Sequence, residues 1–345
     1  MSLNTFSNHR LFLGKSELLD FESISYSNSG NNTISTLNVT LTDPERDILP
    51  LMAQEVVFYL NYGSADNVPF FRGYIKEYTP TDKKITLIVH DVLSFLAGKA
   101  SPPITLTDNN NYDGFTLTQM LHDFIETTVN KNRTIIGLDM LTETNPPVTM
   151  TGYRGKNVTP LKAIKDNMPK DKSSETQVRA YKIVVRDDGV KSNINIIKEQ
   201  DIDSMGITFS FNDGIKKLNY KRRPTPNYYQ HEVNGTEMVY QHHTLPSGIN
   251  MGKLEGKFDY PDQARQEAFF TSVQEDGKAE ITIDVTKGHY LELGTVINLS
   301  LREYPEITGK HRIVAKKINI NKSNINCLLT LDKDKITLGD YINSS

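Results

Sequence analysis

Two stretches near opposite ends of the chain share one pattern and decide the fold class. The first is FFRGYIKEYTPTDKKITLIVHD, Phe70–Asp91, and the second is ITGKHRIVAKKININKSNINCLLTLD, Ile307–Asp332. In each, a glycine opens a strand of alternating apolar residues, a polar turn follows, and a second alternating strand ends at an aspartate. Alternation with a period of two is typical of half-buried β-strands. Both stretches therefore predict pairs of antiparallel strands.

The strands that precede the two stretches extend the correspondence. VVFYL, Val56–Leu60, comes before the first, and VINLSL, Val296–Leu301, comes before the second. In both places a polar excursion separates this strand from the glycine, which is Gly73 in one copy and Gly309 in the other. We interpret the shared order as a duplicated β module, although the two copies have little sequence identity.

The middle of the chain mixes helical and strand patterns. FTLTQMLHDFIETTV has apolar residues at helical spacing, and Thr116 with Gln119 predicts a capping box at its start. VTPLKAIKDNM predicts a second helix with Thr159 as its cap and Pro160 as its first residue. ETQVRAYKIVVRDDG returns to a strand that ends in an Asp-Gly turn. YPDQARQEAFFTSVQEDG predicts a third helix, and further strands are predicted over 207–211, 215–222 and 228–242.

These patterns predict a β-rich α+β fold, in which two antiparallel β-barrel modules flank a mixed α/β middle region. A chain of 345 residues is long enough for about two domains. We expect the first barrel module over residues 1–100, the middle region over 101–260, and a helix plus the second barrel module over 261–345. The two barrels themselves are expected near 1–100 and 278–335, with similar topology.

Composition excludes several classes of partner. The formal net charge is −3, the pI is about 6.3 and the mean hydropathy is −0.46, which does not suit a chain that binds polyanions or a membrane surface. No long apolar run predicts a signal peptide or a membrane span. The basic stretch IKKLNYKRRP, Ile215–Pro224, is interpreted as a solvated strand and turn rather than a specific nucleic-acid site.

No combination of residues predicts catalysis, a metal site or a cofactor site. His122 and Asp123 are adjacent on a predicted helix and therefore point in different directions. His242 and His243 are adjacent on a predicted strand, where neighbours face opposite sides. The chain has neither a P-loop nor a Gly-x-Ser-x-Gly motif. Its one cysteine, Cys327, lies in an apolar run and is expected to be a small buried side chain.

The chain resembles the baseplate hub proteins of contractile-tail phages, a family that includes the myophage central hub and the late-control D proteins. The C-terminal resemblance runs from DQARQEAFFTSVQEDGKAEITIDV through GHYLELGTVINLS to GKHRIVAKKINI, and includes a turn bounded by Gly288 and Gly294 with Leu291 and Leu293 between them. FFRGYIKEYTP is similar to a Phe-x-Gly-x-Ile strand of the family's first module. NVTPLKAIKDNM is similar to its helix between the barrels.

The resemblance implies a structural protein of the virion tail baseplate, with no enzymatic activity. It implies two tube-like barrels per chain in a homotrimer. Three chains then match the six-fold tail tube on one side and the three-fold central spike on the other, around a lumen for genome passage. Implied partners are the chain itself, the tail tube protein, a spike expected to be a separate polypeptide, and baseplate wedge proteins.

By analogy with tube proteins, two excursions are candidate contacts with the tube or a neighbouring chain. They are Asn61–Pro69, represented by Asn61, Tyr62 and Asp66, and Glu303–Thr308, represented by Glu303, Tyr304 and Glu306. The candidate structural turn glycines are Gly73, Gly288, Gly294 and Gly309.

Two alternatives from other functional classes remain open at this point. A carbohydrate- or receptor-binding tail or adhesin protein could use the Tyr-rich segment NYYQHEV, although the chain has no tryptophan. A cell-wall hydrolase would need a pair of carboxylates in a cleft, and no pair is singled out by the sequence.

Overall fold

The structure of the protein is a computed structural model, and it describes most of the chain in separate segments. The described residues are 9–18, 21–28, 33–42, 50–60, 68–98, 112–131, 136–137, 159–167, 170–171, 179–198, 206–222, 228–233, 236–241, 254–258, 279–286, 288–321 and 324–332.

The first part of the chain forms a group of antiparallel strands that we call the N-terminal strand set. Its pairing order is β3-β4-β7-β6-β5-β1-β2. The predicted alternation places every second residue in the core: Val39 and Leu87 face each other across two neighbouring strands and both are fully buried. The strands are β1 (Arg10–Leu13), β2 (Ser16–Leu18), β3 (Phe21–Asn28), β4 (Thr36–Thr42), β5 (Glu55–Tyr59), β6 (Phe71–Pro80) and β7 (Lys84–His90).

Two helices begin where the sequence predicts them, and a third, α1 (Leu93–Leu96), is not predicted by it. The capping box is present: the Gln119 backbone N–H donates to the Thr116 hydroxyl at 3.1 Å, and the Thr116 N–H donates to the Gln119 side-chain oxygen at 2.9 Å. Pro160 is the first residue of its helix, as predicted. The helices are α1 (Leu93–Leu96), α2 (Leu117–Phe124) with a π-helical continuation over Ile125–Val129, and α3 (Pro160–Asn167).

A small sheet and these helices share a second core. Met120 and Phe124 of α2, Ile164 of α3 and Ile194 of the sheet are buried together. The sheet has the order β8-β11-β10-β9, and its strands are β8 (Ile136–Gly137), β9 (Lys170–Asp171), β10 (Arg179–Asp187) and β11 (Ser192–Lys198). The Asp-Gly turn predicted after β10 joins it to β11.

The strand predicted over 228–242 is wrong in its extent. It is two antiparallel strands, β14 (Tyr228–Val233) and β15 (Thr236–Gln241), which pair as a hairpin. The intervening Asn-Gly, which favours a two-residue hairpin turn, lies outside the described residues. The strand β16 (Leu254–Phe258) pairs with β14 and completes a three-stranded sheet.

The remaining strands form a group that we call the C-terminal strand set. Its pairing order is β13-β17-β20-β19-β18-β12. The strands are β12 (Thr208–Phe209), β13 (Ile215–Arg222), β17 (Ala279–Val285), β18 (Val296–Leu299), β19 (Gly309–Asn321) and β20 (Ile325–Asp332). Two of them, β12 and β13, come from the part of the chain that the sequence places in the middle region.

The two strand sets are joined edge to edge. Residues 316–321 of β19 pair with residues 23–28 of β3, so both sets belong to one sheet of 13 strands. Their buried apolar residues form one continuous core. We call the β3–β19 junction the seam.

The β-rich class predicted from the sequence is confirmed, because the described residues form mostly antiparallel sheet with few helices. The third predicted helix, in YPDQARQEAFFTSVQEDG, lies outside the described residues.

Candidate functional site

The two strand sets have the same pairing order. The order β3-β4-β7-β6-β5-β1 in the first corresponds strand for strand to β13-β17-β20-β19-β18-β12 in the second. One direction differs: β1 is antiparallel to β5, whereas β12 is parallel to β18. Six strands in a common order are far more specific than a shared meander, because β3 and β1, like β13 and β12, are close in sequence yet lie at opposite ends of the order.

Two β-bulges occur at the same places in both sets. The register shifts between Phe21 and Ser23 on β3, and between Ile215 and Lys217 on β13. It also shifts after Ile75 on β6 and after Ile313 on β19. Each bulge inserts one residue and increases the local twist, so the matching positions show that the two sets bend alike.

The bulges correct the correspondence of glycines drawn from the sequence. Ile75 matches Ile313, so Gly73 matches His311 rather than Gly309. The paired aspartates are also offset, because Asp332 matches His90 rather than Asp91. The sequence comparison aligned glycine with glycine, but strand pairing follows the buried apolar residues and the bulge.

Each candidate glycine has a physical reason of its own. A Cβ at Gly73 would lie 2.4 Å from the backbone oxygen of His90, and one at Gly288 would lie 2.4 Å from a methyl group of Val285. Gly294 and Gly309 have φ values of 86° and 129°, which favour glycine. All four therefore suit close packing or a turn.

The turn that contains Gly294 recurs in the N-terminal set with alanine in place of glycine. The Gly294 N–H donates to Ile313 O at 2.8 Å, and the Ala53 N–H donates to the matching Ile75 O at 2.9 Å. Ala53 has a φ of 59° and is the non-glycine residue with positive φ in the described part of the chain. The same turn is thus built from a favourable residue in one set and a strained residue in the other.

Of the two predicted contact loops, the structure describes one in full and only the last two residues of the other. Asn61, Tyr62 and Asp66 lie outside the described residues. In the other loop, Glu303 and Glu306 are exposed; Glu303 precedes a short 3-10 turn, Pro305–Ile307, and Glu306 lies within it.

Tyr304, the remaining candidate contact residue of this loop, is half-buried and packs against other aromatic side chains. Its ring lies 6.2 Å from Tyr220 and 6.3 Å from Phe211, between ring centroids. Phe211 is 43% exposed. We call Phe211, Tyr220 and Tyr304 the aromatic socket.

A buried lysine marks the seam. The Lys316 ammonium donates to Leu291 O at 2.7 Å and to His289 O at 3.2 Å. It lies 5.8 Å from the ring centre of Tyr26 and 5.7 Å from that of Phe70, within the range of a cation–π contact. Burial lowers the pKa of Lys316. The Lys316 side chain therefore contacts backbone carbonyl groups of the C-terminal part of the chain and aromatic rings of the N-terminal part.

An ion-pair cluster holds the middle region against the N-terminal set. The Arg72 guanidinium donates to Asp187 at 2.5 and 3.3 Å and to the Gly189 carbonyl at 3.2 Å. Glu55 lies 3.2 Å from the same guanidinium. No local pattern in the sequence indicates this cluster, because Arg72 and Asp187 are 115 positions apart and neither belongs to a motif.

A buried carboxylate lies where the N-terminal set meets α1. Asp91 accepts hydrogen bonds from the Ser35 N–H at 2.8 Å and the Leu93 N–H at 3.1 Å. Burial raises the pKa of Asp91 to about 7, although these two donors act in the opposite direction. Asp91 therefore fixes the start of α1 against the beginning of β4.

The described residues show no assembled catalytic or metal centre. No group of three or more His, Cys, Asp or Glu side chains could hold a metal ion in this part of the chain. His122 is exposed and faces Glu126 on its own helix, while His242 and His243 lie outside the described residues. Cys327 is buried, as predicted. Among the described helices, none is long and apolar enough to cross a membrane.

Comparison with known proteins relates this fold to phage tail proteins. No family model and no curated protein sequence matches the chain. The 43 kDa tail protein of prophage MuSo2 from Shewanella oneidensis is 13% identical, with a TM-score of 0.59 over 94% of this chain and 97% of that one. A tail protein from Neisseria meningitidis MC58 is 11% identical, with a TM-score of 0.60 over 96% and 98%.

A third solved structure comes from a secretion system. The E. coli c3393 protein, described as a type VI secretion component similar to the T4 tail proteins gp27 and gp5, is 10% identical. Its TM-score is 0.50 over 93% of this chain and 76% of that one. At such identities, the similarity shows a shared fold that extends over nearly the whole chain.

Proposed function

We propose that this chain is a structural component of a phage tail, or of a related injection machine, and that it acts as the central hub of the baseplate. The shared fold with tail proteins over nearly the whole chain supports the tail location. The finer proposal is a homotrimer that adapts a six-fold tail tube to a three-fold spike. Its work depends on surfaces rather than on a catalytic centre.

The observation that carries the proposal is the repeated strand order joined at one seam. Because each chain contains two similar strand sets, a ring of three chains contains six similar units. Such a ring is quasi-six-fold on the face toward the tube and truly three-fold on the face toward the spike. The two sets are the proposed tube-like modules, and the middle region packs against the first through Arg72 and Asp187.

We also propose revised module boundaries. The second module includes residues 206–222 together with 279–332, because β13 pairs with β17 and β12 pairs with β18. The first module keeps the predicted limit near residue 100, where α1 follows β7.

The seam suggests how neighbouring copies join. Within one chain, β19 adds to the outer edge of β3. On the second module, the edge that corresponds to β3 is the edge of β13. On the first module, the strand that corresponds to β19 is β6, and its C-terminal end would make the contact. Neither has a strand partner on that side among the described residues. The two lie far apart in the sheet order of one chain, so only a second copy brings them together.

The seam also predicts the register of this contact. Lys317 faces Ser27 within the chain, and the matching residues of two copies are Thr79 and Lys221, both exposed. The nearby Thr81 N–H donates to β7, so Thr79 occupies a non-hydrogen-bonded position on the outer edge, where opposed Cα atoms are about 4.5 Å apart. Heterologous contacts of this kind close into a ring when the rotation permits.

Disulfide formation tests the proposal. In Thr79→Cys/Lys221→Cys protein the new cysteines fall within disulfide range, about 4.4–6.8 Å between Cα atoms. We expect oxidised assemblies to run as covalent trimers on a denaturing gel. The control pair Thr79→Cys/Lys217→Cys shifts one cysteine four positions along β13, about 13 Å, and should give no trimer. The native Cys327 is buried, so unsubstituted protein gives the background.

Two results would contradict the proposal. Equal cross-linking by the two pairs would refute the register, and a ladder that extends past three chains would refute ring closure. A reconstruction of the assembled tail with six copies per ring, or with one module turned away from the channel, would refute the adaptor.

A further inference from the structure

We infer that the aromatic socket on the second module, formed by Phe211, Tyr220 and Tyr304, receives Tyr78 from a second copy of this chain. The inference rests on the proposed ring. It adds a side-chain contact that decides whether neighbouring copies hold together, and it identifies the residues on both sides.

Within one chain, a lysine at the seam covers a pair of aromatic side chains. At the seam, Lys316 of β19 reaches over an aromatic pair, Tyr26 on β3 and Phe70 just before β6. The two rings meet edge to face, with centroids 5.1 Å apart and planes at 73°. One side chain from the added strand therefore covers an aromatic pair on the module that it joins.

The second module carries an equivalent of that aromatic pair. Tyr26 faces Leu37 on β4 and Tyr220 faces the matching Ile281 on β17, so the two tyrosines occupy the same position. Tyr304, which precedes β19, meets Tyr220 edge to face at 76°. Among the described residues, no side chain covers the aromatic socket in the way that Lys316 covers Tyr26, and Phe211 is left 43% exposed.

On the first module, the side chain that corresponds to Lys316 is Tyr78. Lys316 faces Leu329 and Tyr78 faces the matching Leu87, so Tyr78 stands where Lys316 stands at the seam. Tyr78 is 40% exposed on the outer part of β6. When β6 of one copy adds to β13 of another in the seam register, Tyr78 arrives over Tyr220.

The chemistry of the contact suits its position. Lys316 over aromatic rings is a cation–π contact, whereas Tyr78 over the socket is an aromatic one, and packed aromatic pairs stabilise a contact beyond the burial of their area. The proline beside it makes this contact more important. Pro80 matches Ile318 and has no N–H to donate across the edge, and β6 ends there whereas β19 continues to Asn321 at the seam, so the strand contact has fewer hydrogen bonds than the seam.

The experiment measures how fast Thr79→Cys/Lys221→Cys protein forms disulfide-linked trimers. We add Tyr78→Ala, Tyr78→Phe or Phe211→Ser to this parent, with Val190→Ser as the matched control. Val190 is 71% exposed on the β10–β11 turn, which belongs to a different sheet from the strands of the socket, and is likewise apolar. Aromatic anchors are among the residues whose truncation weakens an interface most, so Tyr78→Ala and Phe211→Ser should each slow trimer formation about tenfold. Tyr78→Phe and Val190→Ser should match the parent.

The double variant Tyr78→Ala/Phe211→Ser tests direct contact. If the two side chains meet, the double variant is about as slow as either single variant, because the second change removes nothing further. Additive slowing would overturn the inference. The inference would also be overturned if the parent cross-links and both single variants react at the parental rate. In that case the proposed ring would stand. A parent that fails to cross-link would refute the ring itself.

A second readout does not depend on cross-linking. The chain has no tryptophan, so Tyr78→Trp carries a single reporter. In assembled material its emission should move to shorter wavelength and resist quenching by iodide, and Phe211→Ser should reverse both changes. Emission typical of exposed tryptophan in an assembled ring would exclude Tyr78 from the socket.

Discussion

At the scale of single residues, the repeated turn gives an internal comparison of glycine and alanine. Ala53 and Gly294 donate matching backbone hydrogen bonds, and both have positive φ. An L-residue in the left-handed region costs about 1–2 kcal/mol, a cost that glycine avoids. Ala53 therefore weakens the N-terminal strand set at a position where the C-terminal set is unstrained.

The two turns predict stability changes of opposite sign. Ala53→Gly should raise the free energy of unfolding by about 0.5–1 kcal/mol, because relief of strain exceeds the extra entropy of the unfolded chain. Gly294→Ala should lower it by about 1 kcal/mol for the converse reason. Urea denaturation of the three proteins at one pH measures both changes. Destabilisation by Ala53→Gly would show that the alanine side chain contributes more than its strain costs.

The buried Asp91 predicts a pH dependence of stability. Its pKa is raised to about 7 in the folded protein, above the unfolded value of about 3.9, so the folded state binds the proton more tightly. Its contribution is complete below about pH 4 and is lost as the pH rises through 7, at about 1.4 kcal/mol per pKa unit. Asp91→Asn removes this titration. The unfolding free energy of the unsubstituted protein relative to Asp91→Asn should therefore fall between pH 5 and pH 8 in urea denaturation, and a constant difference would mean that Asp91 stays ionised.

At the scale of elements, side chains far apart in sequence determine how the strands and hairpins associate. The β10–β11 hairpin is held to β6 by Arg72, which contacts Asp187 and the Gly189 carbonyl. The position that matches Arg72 in the second set is Lys310, which is exposed. Similar strands thus acquire different neighbours through single substitutions.

This junction predicts a contrast between two ion pairs. Asp187→Ala leaves the buried Arg72 with Glu55 as its remaining carboxylate, and should destabilise the protein by about 3 kcal/mol, as expected for breaking a buried pair. The control Glu17→Ala removes the carboxylate that pairs with Arg10, where both side chains are about 30% exposed. Such an exposed pair contributes little to stability. Urea denaturation compares the two, and equal effects would mean that the Arg72 pair does not hold the junction.

At the scale of the whole molecule, the seam makes one sheet from two repeated sets and leaves a matching pair of edges. Exposed strand edges promote association, and natural proteins control them with charge or proline. The edges of this chain carry both: lysines on β13 and Pro80 on β6. Association is therefore expected to depend on the register and on the aromatic socket, as the cross-linking experiments above will measure.

The sequence by itself determined the period of the strands, the capping box of α2, the start of α3, the β-rich class and the existence of a repeated pattern. These features follow from local rules, because alternation, caps and turn residues act over a few positions. The same rules also predicted the buried Cys327. They failed at the strand over 228–242, where two strands were read as one.

Only the tertiary structure decided which strands pair and in which register. It joined β3 to β19, brought β12 and β13 into the second set, and shifted the match of Gly73 from Gly309 to His311. It also brought Phe211, Tyr220 and Tyr304 together. The physical reason is that burial and backbone hydrogen bonding between distant segments select the partner of each strand. A bulge then moves the register by one residue, while the alternation continues on each side of it.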